Sequence, residues 1–269
     1  MEKRPLRMRQ LSKDEVGIAR QNQVYMFSPS PDPYVTVILY VDAKPLSDLI
    51  AARREKTGKP ITMVHVFNKL LGLAFKAHPE YNSVVLDRRI FELDNVTISN
   101  PYLLPGDERA LTMLLLEDPQ TKSLEQICDV FEQEKEIKRA EFAQFGQNRI
   151  GFVPKLYVRS GLFRIISEKM QFKTIYERSL TTNLVLSKAN SAATNNFIAT
   201  KGGVQILRTF MRFFQHAIIE QAHFEDGRYA PKPVVPLTMV LDHRLIDGFH
   251  VNTFVQTINQ IVADADNRL

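Results

Sequence analysis

The sequence predicts an α/β fold, a two-layer sandwich in which helices cover a mixed β-sheet. Three observations carry that expectation. Runs rich in β-branched and aromatic residues alternate irregularly with runs whose apolar residues recur every three or four positions, which places strands and helices in one body. No stretch between them has the composition of a linker, so the chain reads as a short N-terminal extension, 1–30, and one domain, 31–269. At 44% apolar and 24% charged residues the domain can close a conventional core, since a chain of this size buries roughly 75% of its unfolded surface.

The elements follow in order. Residues 1–30 are polar and end in Ser28-Pro29-Ser30-Pro31, which breaks regular structure. Tyr34–Asp42 is a β-branched and aromatic run and reads as a buried strand. Pro45 and Leu46 open a helix through Arg54, closed by Thr57-Gly58-Lys59-Pro60. Across 62–78, Val64, Phe67, Leu70, Leu71, Ala74 and Phe75 share one helical face, with Thr62 as N-cap and Pro79 as the stop. Short strands are expected at 83–86, 90–93 and 96–98, and a longer one at 110–116. Asp118-Pro119 marks a turn. Residues 123–145 form a charged helix with Leu124, Ile127, Val130, Phe131 and Ile137 inward. An apolar and basic helix is expected at 154–172, strands at 182–186 and 236–241, and a last helix at 252–265.

Composition narrows the classes of function. Cys128 is the single cysteine, so no intrachain disulfide forms, and a reducing, cytoplasmic compartment is the expectation. The formal charge of +5 is spread along the chain without a basic stripe interleaved with aromatics, which gives no nucleic-acid motif. Met1 to Arg9 is basic but lacks the apolar stretch of a secretory signal. No run approaches the roughly 20 apolar residues of a bilayer span.

Chemistry concentrates near the C-terminus. The strand-like run Pro236-Leu237-Thr238-Met239-Val240-Leu241 leads directly into Asp242-His243-Arg244-Leu245-Ile246-Asp247-Gly248. A histidine at a strand exit has a fixed backbone and a ring free to face a cleft, and its ordinary pKa of about 6.5 lets it take and return a proton near neutrality. Asp247 is close enough to fix the local fold, and Gly248 permits a tight turn. From local chemistry alone, a surface turn that happens to hold His, Arg and Asp reads equally well. A metal pair of His243 and Asp247 lacks a third ligand at supporting spacing, so no metal is expected.

This stretch resembles the Asp-His-Arg-x-x-Asp-Gly signature of the 2-oxoacid dehydrogenase acyltransferases (E2 catalytic domains), within the chloramphenicol acetyltransferase-like group. Other residues match the same family: Tyr34–Asp42 with Leu46 and Arg53, the stretch 66–82 with Lys69, Ala74, His78, Pro79 and Asn82, Lys122-Ser123-Leu124 with Ile127, and Gly227 with Val234 to Leu237. The resemblance spans most of 30–269 and is weakest over 140–215. It implies a chloramphenicol acetyltransferase-like fold and an acyltransferase catalytic domain at 31–269, without a lipoyl or subunit-binding domain. It further implies CoA or acyl-CoA as substrate, or a lipoyl or acyl-carrier thiol on a separate protein, and a homotrimer or multiple of trimers with sites at subunit boundaries.

By similarity His243 is the general base, Asp247 holds the loop through an arginine, and Asp242, Arg244 and Gly248 support the geometry. The resemblance also calls for a Ser or Thr hydroxyl donating to the tetrahedral oxyanion. Ser99, in Thr97-Ile98-Ser99-Asn100, has the right neighbours but lies 144 residues before His243. Ser187 lies 56 residues before it, close to the family spacing, with Ser191 and Thr194 as alternatives because Lys188-Ala189-Asn190 departs from the family's Asn-x-Gly.

The remaining candidates read as structure. His78 is a helix end, His65 is packed, His216 and His223 belong to no motif, and His250 falls on the helix after the signature. Cys128 sits on a helix without a basic partner and reads as core. The apolar and basic stretch 152–172 reads first as helix packing, and its apolar excess points to a longer or bulkier acyl group.

Overall fold

The computed structural model describes residues 8–12, 15, 33–86, 89–103, 111–145, 181–185 and 211–269. The strands are β1 (Met8–Gln10), β2 (Tyr34–Asp42), β3 (Ser83–Leu86), β4 (Arg89–Leu93), β5 (Thr97–Leu103), β6 (Leu111–Glu117), β7 (Thr181–Val185), β8 (Met211–Gln215), β9 (Ile219–Glu225) and β10 (Arg228–Asp242). The α-helices are α1 (Ala43–Thr57), α2 (Met63–Ala77), α3 (Leu124–Phe145), α4 (Gly248–Ala263) and the short α5 (Ala265–Arg268). The expected helix 154–172, including the stretch 152–172, lies outside the described residues.

The large sheet runs β2-β10-β8-β7-β5-β6, with β9 alongside the outer part of β10. β5–β7 and β7–β8 are parallel and the other pairs antiparallel, so the sheet is mixed as expected. A smaller sheet, β1-β4-β3, carries Met8–Gln10 of the N-terminal segment against β4.

Strand alternation fixes which face the helices cover. Val35, Val37, Leu39 and Val41 of β2 join Val235, Leu237, Met239 and Leu241 of β10 and Met211 and Phe213 of β8 on one face. Against it pack Leu46 and Leu49 of α1, Phe67, Leu70, Leu71 and Phe75 of α2, and Phe254, Ile258 and Ile261 of α4. A satellite core of Leu114, Leu116, Ile127 and Phe131 joins β6 to α3. The result is a helix layer on a sheet layer.

The helix ends follow from their residues. Asp42 caps α1 by accepting the Lys44 N–H at 3.0 Å, and Gly58 ends it with φ 68°, a conformation only glycine adopts cheaply. Thr62 caps α2, and its own N–H donates to His65 Nδ1 at 3.1 Å. His65 is buried edge-on against Phe131, and burial pushes its imidazole down to about 4, so the ring is neutral and structural.

Two strand expectations change. β10 begins at Arg228, not at 236, because Pro231 and Pro233 lie where the strand pairs with β9 alone and one missing N–H per proline is tolerated. β8 and β9 carry no alternating pattern and went unforeseen. Every residue of β9 after Ile219 is exposed, so the ribbon has no buried face to leave a mark in the sequence.

Candidate active site

β10 is the central strand of this region, flanked by β2 and β8 and continuously buried from Val234 to Asp242. It delivers His243 at its exit. The His243 backbone N–H donates to Pro33 O at 2.8 Å, which ties the turn to the residue before β2. The ring is half-buried, and its Nδ1 lies 2.8 Å from the Ile246 carbonyl oxygen. A carbonyl only accepts, so Nδ1 carries the hydrogen and donates. In the neutral ring, Nε2 therefore holds the lone pair. The strand sets the ring's position and the Ile246 carbonyl sets its tautomer.

Asp242 builds the turn around this ring. Its carboxylate is 1% exposed and accepts the Arg244 N–H at 3.0 Å and Arg244 Nε at 2.9 Å, with Arg244 Nη2 at 2.5 Å closing a bidentate pair. Its backbone carbonyl accepts from Leu245 and Ile246. The Ile246 carbonyl that orients His243 is thus itself held by Asp242. Removing one member of a buried pair typically costs about 3–5 kcal/mol because the other charge stays desolvated. Asp242→Ala is therefore expected to lower stability by about 3 kcal/mol in urea titration and to reduce activity as the turn loosens. A midpoint within error of wild type would remove this role.

Asp247 is the N-cap of α4, accepting from Phe249 N–H at 3.1 Å and His250 N–H at 3.3 Å, and His250 Nδ1 lies 2.5 Å from the same oxygen. α4 consequently starts at Gly248, four residues before the expected 252. Aspartate there satisfies helix N–H groups and favours the positive end of the helix dipole. Beyond it a polar row continues: His250 packs edge-on to Tyr81 at 5.3 Å, Tyr81 Oη bonds Thr253 Oγ1 at 2.6 Å, and His78, stacked on Tyr81, bonds Thr257 Oγ1 at 2.7 Å. These bonds lock α4 to the end of α2 and hold the cap rigid.

The oxyanion candidates Ser187, Ser191 and Thr194 lie outside the described residues. The sheet register places the end of β7 relative to β10. Val185, the last residue of β7, pairs with Gln215, which pairs with Leu237. β7 runs antiparallel to β10, so it exits at the end of the sheet opposite His243. From Leu237 to His243 is six residues, about 20 Å at ~3.3 Å each. The end of β7 and His243 of the same chain therefore lie about 20 Å apart along the sheet. Ser99 lies buried within β5, beside Asn100, whose side-chain amide is paired in both directions with Asn68.

Sequence reasoning named Asp242, His243, Arg244, Asp247 and Gly248, and the structure gathers all five in one turn and helix start. It missed the Ile246 and Pro33 carbonyls, which no side-chain pattern reveals. It also missed Asp247 as a cap, although Asp-Gly before an amphipathic run signals a helix start.

Comparison with known proteins bears on the fold. Residues 213–269 match the family model of the 2-oxoacid dehydrogenases acyltransferase (catalytic domain). A sequence comparison with curated proteins gave no match. Among solved structures, a probable dihydrolipoamide acetyltransferase from Listeria monocytogenes 4b F2365 is 18% identical with a TM-score of 0.63, covering 96% of each chain. The dihydrolipoamide acetyltransferase of Azotobacter vinelandii is 17% identical with a TM-score of 0.63, covering 92% of this chain and 86% of that one. A chloramphenicol acetyltransferase is 16% identical with a TM-score of 0.52, covering 94% and 100%. The C-terminal part of the chain, residues 213–269, is thus similar to the 2-oxoacid dehydrogenase acyltransferase catalytic domains, and the fold is that of these catalytic cores and of chloramphenicol acetyltransferase.

Proposed function

We propose that the chain is an acyltransferase that moves an acyl group between a thioester and an acceptor, with His243 as general base. The observation that carries this reading is the His243 ring, fixed at a buried strand exit with Nδ1–H donating to the Ile246 carbonyl and Nε2 left as the basic nitrogen. With a thiol as acceptor, Nε2 takes the thiol proton and the sulfur attacks the thioester carbonyl. The C=O electrons move onto oxygen, and the tetrahedral intermediate collapses by expelling the donor sulfur, which recovers the proton from the imidazolium. A positioned base typically contributes about 10²–10⁴-fold.

Ser187, or Ser191 or Thr194 in its place, would donate to the oxyanion, an interaction typically worth about 2.7–4 kcal/mol. β7 ends at the end of the sheet opposite His243, which supports a site assembled from two chains of a homotrimer or multiple of trimers. In the A. vinelandii enzyme, a serine, a histidine and an asparagine four residues after that histidine were studied for their role in the catalytic mechanism. Here Asp247 stands four residues after His243 and caps α4.

In this reading 31–269 is the catalytic domain, CoA or a lipoyl or carrier thiol on a separate protein is the co-substrate, and the buried, unpaired Cys128 accords with a reducing cytoplasm. A second reading, a catalytic core serving a dehydrogenase complex through a separate lipoyl protein, draws on the family match. Thiol release from a panel of acyl-CoAs, with free CoA or a lipoylated domain as partner, tests both. Turnover with CoA alone favours the stand-alone enzyme and strict dependence on the lipoylated domain favours the core. No turnover with either leaves a scaffold.

A further inference from the structure

Asp247 Oδ1 is a crowded acceptor. It takes the Phe249 and His250 N–H groups that open α4, and the His250 ring at 2.5 Å as well. An ionised carboxylate only accepts, so the ring nitrogen facing it, Nδ1, carries a hydrogen and donates. His250 is the third residue of α4, and it reaches back to its own N-cap as the partner in a capping box does. Here it grips the side chain of the cap, where a capping box grips the backbone.

The His250 ring is itself clamped. It meets Tyr81, in the short 3-10 turn Pro79–Tyr81 after α2, at 5.3 Å and 69°. Thr253 Oγ1 donates to the His250 carbonyl at 3.0 Å, which uses its one hydrogen. In the 2.6 Å bond between Tyr81 Oη and Thr253 Oγ1 the tyrosine is therefore the donor. The hydrogen bonds run one way, from Tyr81 through Thr253 to the His250 backbone.

This clamp lies one peptide from the His243 ring. Asp247 follows Ile246, whose carbonyl accepts His243 Nδ1–H at 2.8 Å. That carbonyl and the Asp247 N and Cα lie in one rigid plane, so fixing Asp247 fixes the direction of the oxygen. On its other side Ile246 is held by its own N–H, which donates to Asp242 O at 3.1 Å. The acceptor that selects the His243 tautomer is thus gripped from both ends, by Asp242 and by the pair of Asp247 with His250.

We infer that His250 is a positioning residue: clamped by Tyr81 and Thr253, it fixes Asp247, and through the Ile246–Asp247 peptide it keeps His243 in the tautomer that leaves Nε2 basic. Its effect on the rate rests on His243 as the base, whereas its effect on the His243 ring does not.

Two readouts on the full chain test this. Ring-nitrogen NMR of histidine-labelled protein, at alkaline pH where ordinary imidazoles are neutral, reads the His243 tautomer, with His243→Asn as the assignment reference. Thiol release from acyl-CoA reads kcat and KM. Wild type is expected to show His243 in the Nδ1–H form alone. His250→Phe keeps an aromatic ring beside Tyr81 but removes the donor. It is expected to mix the tautomers of His243 and to lower kcat about 10- to 100-fold, with KM within about twofold. His250→Gln, whose amide reaches back to the N-cap from the same position, is expected to recover most of both. Asp247→Asn still caps the helix but offers His250 no carboxylate. It is expected to disturb the His243 ring in the same way, and it supplies the test if the melting temperature shows that His250→Phe does not fold. A His243 ring unchanged in both His250→Phe and Asp247→Asn, or a loss that His250→Gln does not recover, overturns the inference. Mixed tautomers with unchanged turnover would leave the positioning standing and count against His243 as the base.

Discussion

His243→Asn is expected to lower kcat/KM for acyl transfer by about 10²–10⁴-fold while leaving the melting temperature near that of wild type. The choice of asparagine follows from the two duties of the ring. Nδ1–H anchors the turn through the Ile246 carbonyl, and in the proposed reaction Nε2 accepts the proton. An asparagine amide can place its N–H close to the Nδ1 position and keep the anchor, but it offers no base. The variant therefore separates chemistry from architecture. Because proton transfer is specific to the transition state, the fall is expected in kcat with KM little changed. Initial rates from thiol release, with urea midpoints for both proteins, check it. Activity within fivefold of wild type would remove His243 as the base, whereas an equal collapse of stability would show the ring to be a structural pin.

The histidine was legible because its two signals are local. A strongly apolar strand and the seven residues after it lie in one window, and strand exits are where side chains are held against a fixed backbone. The helix layer was legible for the same reason: Phe67, Leu70, Leu71 and Phe75 recur at the helical period and lie in the core. What escaped depends on contacts between distant segments. The pairing of Val185 with Gln215 and of Gln215 with Leu237 sets β7 and β10 exiting at opposite ends, and no window of sequence contains that relation. β9 escaped because its ribbon buries neither face. The outer half of β10 escaped because Pro231, Pro233 and Pro236 read as breakers, although a proline costs a strand only the hydrogen bond its own nitrogen would have made.

Mixing two inactive variants is expected to restore activity. If His243 of one chain works with Ser187 of the next, His243→Asn and Ser187→Ala are each nearly silent alone, since each removes one half of every site. In a closed ring of identical head-to-tail contacts, each site draws its histidine from one chain and its hydroxyl from the neighbour. After co-refolding at equal ratio, a site is intact when the first chain is the serine variant and the second the histidine variant. Each condition is met half the time, so activity recovers to about a quarter of wild type whatever the number of chains in the ring. The antiparallel run of β7 and β10 motivates this expectation, because about 20 Å of strand separates the sheet level of Val185, two residues before Ser187, from His243. Sedimentation of the mixed sample confirms that hetero-oligomers formed. Recovery near zero in a properly mixed oligomer would put both groups of a site in one chain and overturn the two-chain reading, whereas activity of Ser187→Ala by itself would move the hydroxyl role to Ser191 or Thr194, which Ser191→Ala and Thr194→Ala would then tell apart.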